Sequence, residues 1–86
     1  MADTEDANQE ILDNITGLVG EERELRERST RKLGLDNAER ARLRSVEIQL
    51  DQCWDLLRQR RAKSEFGEDP GKARVRPASE VENYKS

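Results

Sequence analysis

The densest run of one sign of charge in this sequence is Arg58, Arg60, Arg61 and Lys63, four cations within six residues. Cations in the last turns of a helix offset the negative end of its dipole, which accounts for part of the cluster. Joined by Arg74 and Arg76, it makes a basic patch suited to phosphates or to an acidic protein surface. Nucleic acid is the weaker of those targets: the chain has a net charge of −3, aromatics are 3%, and no reader motif is present. Residues 1–20 also hold five acids and no base. An antiparallel pair of helices would lay that acidic start beside the basic end. Neutralisation within the chain is therefore the leading reading of the cluster, and an external partner the alternative.

Other reactive side chains offer less. Asp51 and Asp55 stand four apart on one helix face, as metal-binding carboxylates can, but no Glu-x-x-His accompanies them and Arg44 and Arg58 lie near. They read as members of salt bridges. Glu22 falls inside an apolar seam and is expected to pair with Arg42 or Arg44 across the helices, fixing register. Cys53, the single cysteine, also lies on a seam, where a free thiol behaves as a small hydrophobe. A disulfide between two copies is the minor alternative. With no histidine and no nucleophile beside a base, the sequence presents no catalytic residue, no metal site and no cofactor site. TGLVGEE lacks the preceding strand and the following GK[ST] of a phosphate loop. The chain reads as a non-enzymatic protein.

Two helices position these residues. Leu43, Val46, Leu50, Cys53 and Leu57 are spaced 3, 4, 3 and 4, one side of a helix, with Trp54 beside the seam. Upstream, Ile11, Ile15, Leu18 and Leu25 form the facing seam, with Glu22 between the last two. The charged stretch EERELRERSTRK continues that helix, with Glu22–Arg26, Glu24–Arg28 and Glu27–Arg31 as i,i+4 pairs. Thr4 or Asp6 is expected to cap its start, and Gly34 to end it after Arg31 and Lys32. Asp36 and Glu39 form a capping box for the second helix. The link of Leu33 to Asp36 is short, which makes the helices antiparallel neighbours with facing residue numbers summing to about 70. Gly17 and Gly20 interrupt the first helix. They are either weak points held by packing or a gap that admits the Trp54 indole, and the register favours the indole.

The fold class is therefore all-α: an antiparallel two-helix hairpin with an irregular C-terminal tail. The boundaries read as a flexible acidic 1–6, a hairpin over 7–66 with helices at about 7–33 and 37–65, and a Pro/Gly-containing tail 67–86. The tail is either disordered or a strap laying Val75, Val81 and Tyr84 over apolar surface, with a short turn from Ser79 to Tyr84. Hydrophobic residues are 33% and charged residues 41%, too lean for an ordinary core in 86 residues. Disorder is the competing reading for such a composition, but the apolar residues are periodic. A hairpin covers one side of each helix and leaves Leu12, Val19, Ile48 and Leu56 on flanking rows. Pairing two hairpins into a four-helix bundle would cover them, so the expected partner is a second copy or another protein. MADTEDANQE has no basic n-region or apolar h-region, and no apolar run approaches the ~20 residues of a membrane span, so a cytoplasmic protein is expected.

The run Leu50-Asp51-Gln52-Cys53-Trp54-Asp55-Leu56-Leu57-Arg58-Gln59-Arg60-Arg61-Ala62 resembles the core signature of a small actinobacterial family, domain of unknown function 2630. Gly67, Asp69-Pro70, Ala73-Arg74-Val75-Arg76-Pro77, Val81-Glu82 and Tyr84 are similar to its tail. The resemblance implies no activity. It implies that the Arg-rich helix end and the ARVRP tail belong to one folded unit, which favours a strap or a tail-mediated contact.

Overall fold

The computed structural model describes residues 2–31 and 34–79, with the side chains from residue 6 onward. Two helices, α1 (Ala2–Ser29) and α2 (Asn37–Glu65), pack side by side as an antiparallel hairpin, followed by a 3-10 turn at Pro70–Lys72. The all-α hairpin is the expected architecture.

The punctuation of α2 is local chemistry. Asp36 Oδ1 accepts from the Glu39 amide at 2.7 Å, and Glu39 Oε1 accepts from the Asp36 amide at 3.1 Å, closing the capping box. At the other end the Glu68 amide reaches Lys63 O at 2.7 Å and the Gly67 amide reaches Ser64 O at 3.2 Å. That is a Schellman arrangement, and it requires the left-handed φ of 74° that Gly67 adopts.

The ends of α1 differ from expectation. It starts at Ala2, so Thr4 and Asp6 lie inside it rather than capping it. It stops at Ser29, before the expected residue 33. Ser29 Oγ and Thr30 Oγ1 donate back to the carbonyls of Arg26 (2.6 Å) and Glu27 (2.7 Å), and the Thr30 and Arg31 amides bond three residues back. Such local bonds compete with the helical ladder and tighten its last turn. Lys32 and Leu33 lie outside the described residues.

The interior is thin. Ile15, Val46 and Leu50 form the buried cluster, with Ile11, Leu18, Val19, Cys53 and Leu57 packed on it. Among the described residues, only Val46 is sealed completely. Leu25 and Leu35 are also buried, while Leu43 is half-buried and outside the cluster. With extents of 52 × 27 × 16 Å the molecule is a slab, and its lateral flanks are open.

Trp54 does not fill a glycine gap. A Cβ at Gly17 or Gly20 would meet nothing within 4 Å, and Trp54 is 43% exposed. Successive helical residues diverge by about 100°, so Cys53 and Trp54 straddle the seam and face opposite flanks. Gly17 lies on the Cys53 flank, in a shallow groove with Asn14 and Gln49. Trp54 lies on the other.

Among the described residues, ion pairs that cross the hairpin include Glu21–Arg42, Arg26–Glu47 at 3.0 Å and Arg28–Glu39 at 2.6 Å. Arg42 chooses Glu21, not Glu22. Glu22 points into the seam region and takes Arg26 one turn on at 3.6 Å, whereas Glu21 projects from the flank that Arg42 shares. Arg42 donates to both Glu21 oxygens, which holds the Glu21 carboxyl below its usual value, by hydrogen bonding before charge, and raises Arg42.

The described part of the tail is a strap, and its contacts are polar. Gln59 Nε2 donates to Arg74 O at 2.6 Å while its Oε1 accepts from the Arg74 amide at 3.3 Å. Gln52 Nε2 donates to Arg76 O at 3.2 Å. Residues 52 and 59 lie on the α2 face turned away from α1, so this half of α2 is the middle layer of three. Val75, expected to anchor the strap, is 62% exposed. The backbone on either side of it is gripped instead. Val81, Tyr84 and the turn expected up to Tyr84 lie outside the described residues.

Candidate functional site

The six cations singled out by sequence separate into different tasks. Arg60 turns inward and is 9% exposed. Its Nε donates to Asn8 Oδ1 of α1 at 2.6 Å and its Nη1 to Pro70 O at 3.1 Å, so one guanidinium ties α1, α2 and the tail together. Arg76 reaches Asp55 Oδ2 at 3.3 Å. Asp55 is buried and also accepts from Gln59 Nε2 at 2.8 Å. It is a salt-bridge member as expected, with a tail arginine in place of the nearby Arg58 or Arg44. Lys63 pairs with Glu68 at 3.5 Å and Arg61 with Glu65 at 3.2 Å. Arg58 and Arg74 are exposed.

Among the described residues, neutralisation of the cluster runs through α2 and the tail, and the side chains of residues 1–5 lie outside them. The acids answering Arg61, Lys63 and Arg76 are Glu65, Glu68 and Asp55, which lie on α2 and the tail. From α1 the described contact is the Asn8 amide on Arg60. Sequence reasoning missed Asn8, Gln52 and Gln59. The available signal was the spacing of Gln52, Asp55 and Gln59, a polar row at i, i+3, i+7 opposite the seam.

What remains open is the flank on which Trp54 stands. Leu12, Trp54 and Leu57 line a groove of about 520 Å³ between the two helices, edged by Asn8, Arg58 and Arg61. Toward the loop end Trp54 also lines a second hollow, with Val19, Glu22, Glu47 and Asp51. Leu12 is 40% exposed, so an apolar strip from both helices is presented to solvent. Its position follows from Leu12 and Trp54 each lying just off the seam on the same side.

The chemistry within reach is binding chemistry. Cys53 is half-buried, and burial pushes its thiol up, away from the reactive thiolate. Among the described residues no group of three His, Cys, Asp or Glu side chains is arranged to hold a metal ion. Among the described residues no helix is long and apolar enough to cross a membrane.

Comparisons with known proteins agree with the resemblance in the α2 and tail motifs. Uncharacterised proteins of Mycobacterium tuberculosis and Mycobacterium bovis are each 49% identical over 77 residues, covering 90% of this chain and 88% of the relative. No solved structure gives a significant match. A family model described as protein of unknown function (DUF2630) matches residues 7–86, which takes in α1 from its second turn, all of α2 and the strap, and the chain belongs to that family.

Proposed function

We propose that this protein is a non-enzymatic interaction module whose docking surface is the open flank of the hairpin centred on Trp54. The observation that supports it is the exposure of Leu12 and Trp54 in one groove between the helices. A tryptophan that the fold leaves half in water, framed by arginines, has the composition of an interface anchor. The thin core supports the same reading, because further burial is the largest gain still open to the molecule.

The partner is a second copy or another protein. The nucleic-acid alternative relied on six cations acting as one patch, and it has less support with Arg60, Arg61, Lys63 and Arg76 engaged by this chain's own groups. The test compares wild type with Leu12→Gln/Trp54→Gln and with Asn14→Ala on the opposite flank. Self-association is read by light scattering, and association with other proteins by recovery of the tagged chain from cells that express it. Association of either kind should disappear in the double variant and persist in Asn14→Ala. Association that survives the double variant, or none in wild type, contradicts the proposal.

A further inference from the structure

Along α2, Glu47, Asp51, Trp54, Arg58 and Arg61 follow one another at spacings of 4, 3, 4 and 3, a single stripe on the open flank. The stripe changes sign at its centre. Two carboxylates precede Trp54 and line the hollow toward the loop end, and two guanidiniums follow it and edge the groove toward the tail. A two-fold axis at Trp54 reverses the direction of α2. An identical stripe running the other way then sets Arg61 against the partner's Glu47 and Arg58 against the partner's Asp51, and the same contacts recur with the roles exchanged.

We propose that the flank is occupied by a second copy of this chain, in an antiparallel isologous dimer in which the two α2 helices cross at Trp54. This rests on the reading of the flank as a docking surface and names its occupant. A partner segment of uniform sign would satisfy one half of the stripe and be repelled by the other. The second copy satisfies both, and the contact closes at two chains because each surface is used by its own image. On α1, Leu12 and the half-buried Val19 project on the same flank, so the two apolar strips meet as well.

Intrachain pairs on the stripe do not prevent this. Asp51 is engaged within the chain, Glu47 holds Arg26 and Arg61 holds Glu65; the last two pairs are at the surface, and exposed pairs are weak enough to exchange partners. Glu47 to Arg61 spans about 21 Å of helix, and two adjacent helices present a width of roughly 20 Å. That gives on the order of 400 Å² per copy, about half of a standard interface. The contact is therefore at the small end of protein interfaces, and its charge pairs make it sensitive to salt.

The test is a charge exchange on the full chain, read by sedimentation and light scattering with helix content checked by circular dichroism. Arg58→Glu/Arg61→Glu makes the stripe all acidic, and Glu47→Lys/Asp51→Lys makes it all basic. Each variant alone should dimerise at least tenfold more weakly than wild type, and an equimolar mixture should form a heterodimer at least as tight as the wild-type dimer. If Glu47→Lys/Asp51→Lys loses helix, Asp51→Lys alone takes its place in the mixture. Variants that dimerise like wild type, a mixture that stays monomeric, or assemblies growing beyond two chains overturn the proposal. A wild type that is monomeric at all concentrations overturns it too. The docking reading is then decided separately, by whether Leu12→Gln/Trp54→Gln abolishes association with another protein.

Discussion

Arg58 and Arg60 are two residues apart and chemically identical, yet the fold gives them opposite situations, and replacing each by Met separates them. Arg60→Met keeps the aliphatic stem and removes the donors that reach Asn8 Oδ1 at 2.6 Å and Pro70 O at 3.1 Å. A hydrogen bond from a charged donor contributes about 1.5–3 kcal/mol, and a partner left unpaired loses a comparable amount. Asn8 is half-buried and water recovers part of its loss, so the expected destabilisation is about 2–3 kcal/mol. For a chain of this size each kcal/mol moves the melting temperature by about 4–8 °C, which puts the shift at roughly 8–24 °C. Arg58→Met, at an exposed position, should stay within about 0.5 kcal/mol. Arg60→Lys should fall between, since an ammonium cannot fork to both acceptors. The assay is urea and thermal unfolding followed by circular dichroism, with amide exchange at residues 71–76 as the local readout. Equal effects for Arg58→Met and Arg60→Met, or unchanged exchange in the tail, would refute the account of Arg60 as the tie between three segments.

Three further outcomes follow from the same contacts. Asp55→Ala removes the buried acceptor of Arg76 and Gln59, and trypsin should then cut the Arg74–Val75 bond several times faster than in wild type, while unchanged cutting would count against the strap. Gly17 sits in open space within α1, so Gly17→Ala should stabilise by about 0.5–1 kcal/mol and Gly17→Leu should be tolerated; a melting loss with Leu alone would show that something packs there. Glu21 titrates below its ordinary value of 4.5 because Arg42 bonds its charged form, so the pair contributes stability above that value and loses it as the pH falls below. Wild type should therefore exceed Glu21→Gln in urea midpoint at neutral pH and converge with it in acid; a difference that widens in acid has the wrong sign.

Much of the frame is written in local sequence. The 3-4 seams of Ile15, Val46 and Leu50, the Asp36/Glu39 box and the glycines at 34 and 67 each act through near neighbours, and the hairpin follows from them. The early end of α1 was less legible because Ser29 and Thr30 are tolerable in a helix until their hydroxyls turn back on it. Trp54 was placed on the wrong flank for a geometric reason: one residue's step past the seam is a third of a turn, and linear register arithmetic ignores it. The polar row of Gln52, Asp55 and Gln59 is legible, but not the segment it grips, because amide-to-backbone bonds impose no residue type on the stretch they hold. Arg60 was grouped with Arg58 by proximity in sequence, although the helix separates them by more than half a turn.

The most direct test of the dimer is the distance between two copies of one position. In a Cys53→Ser background, a spin label at Ser64→Cys lies ten residues from Trp54, so antiparallel pairing centred there puts the two labels about 30 Å apart along the helices. Pulsed dipolar spectroscopy on the full chain should give that distance, and raising the salt should diminish its amplitude. A distance near 10 Å, as parallel pairing would produce, or no dipolar signal at any concentration, would contradict the account.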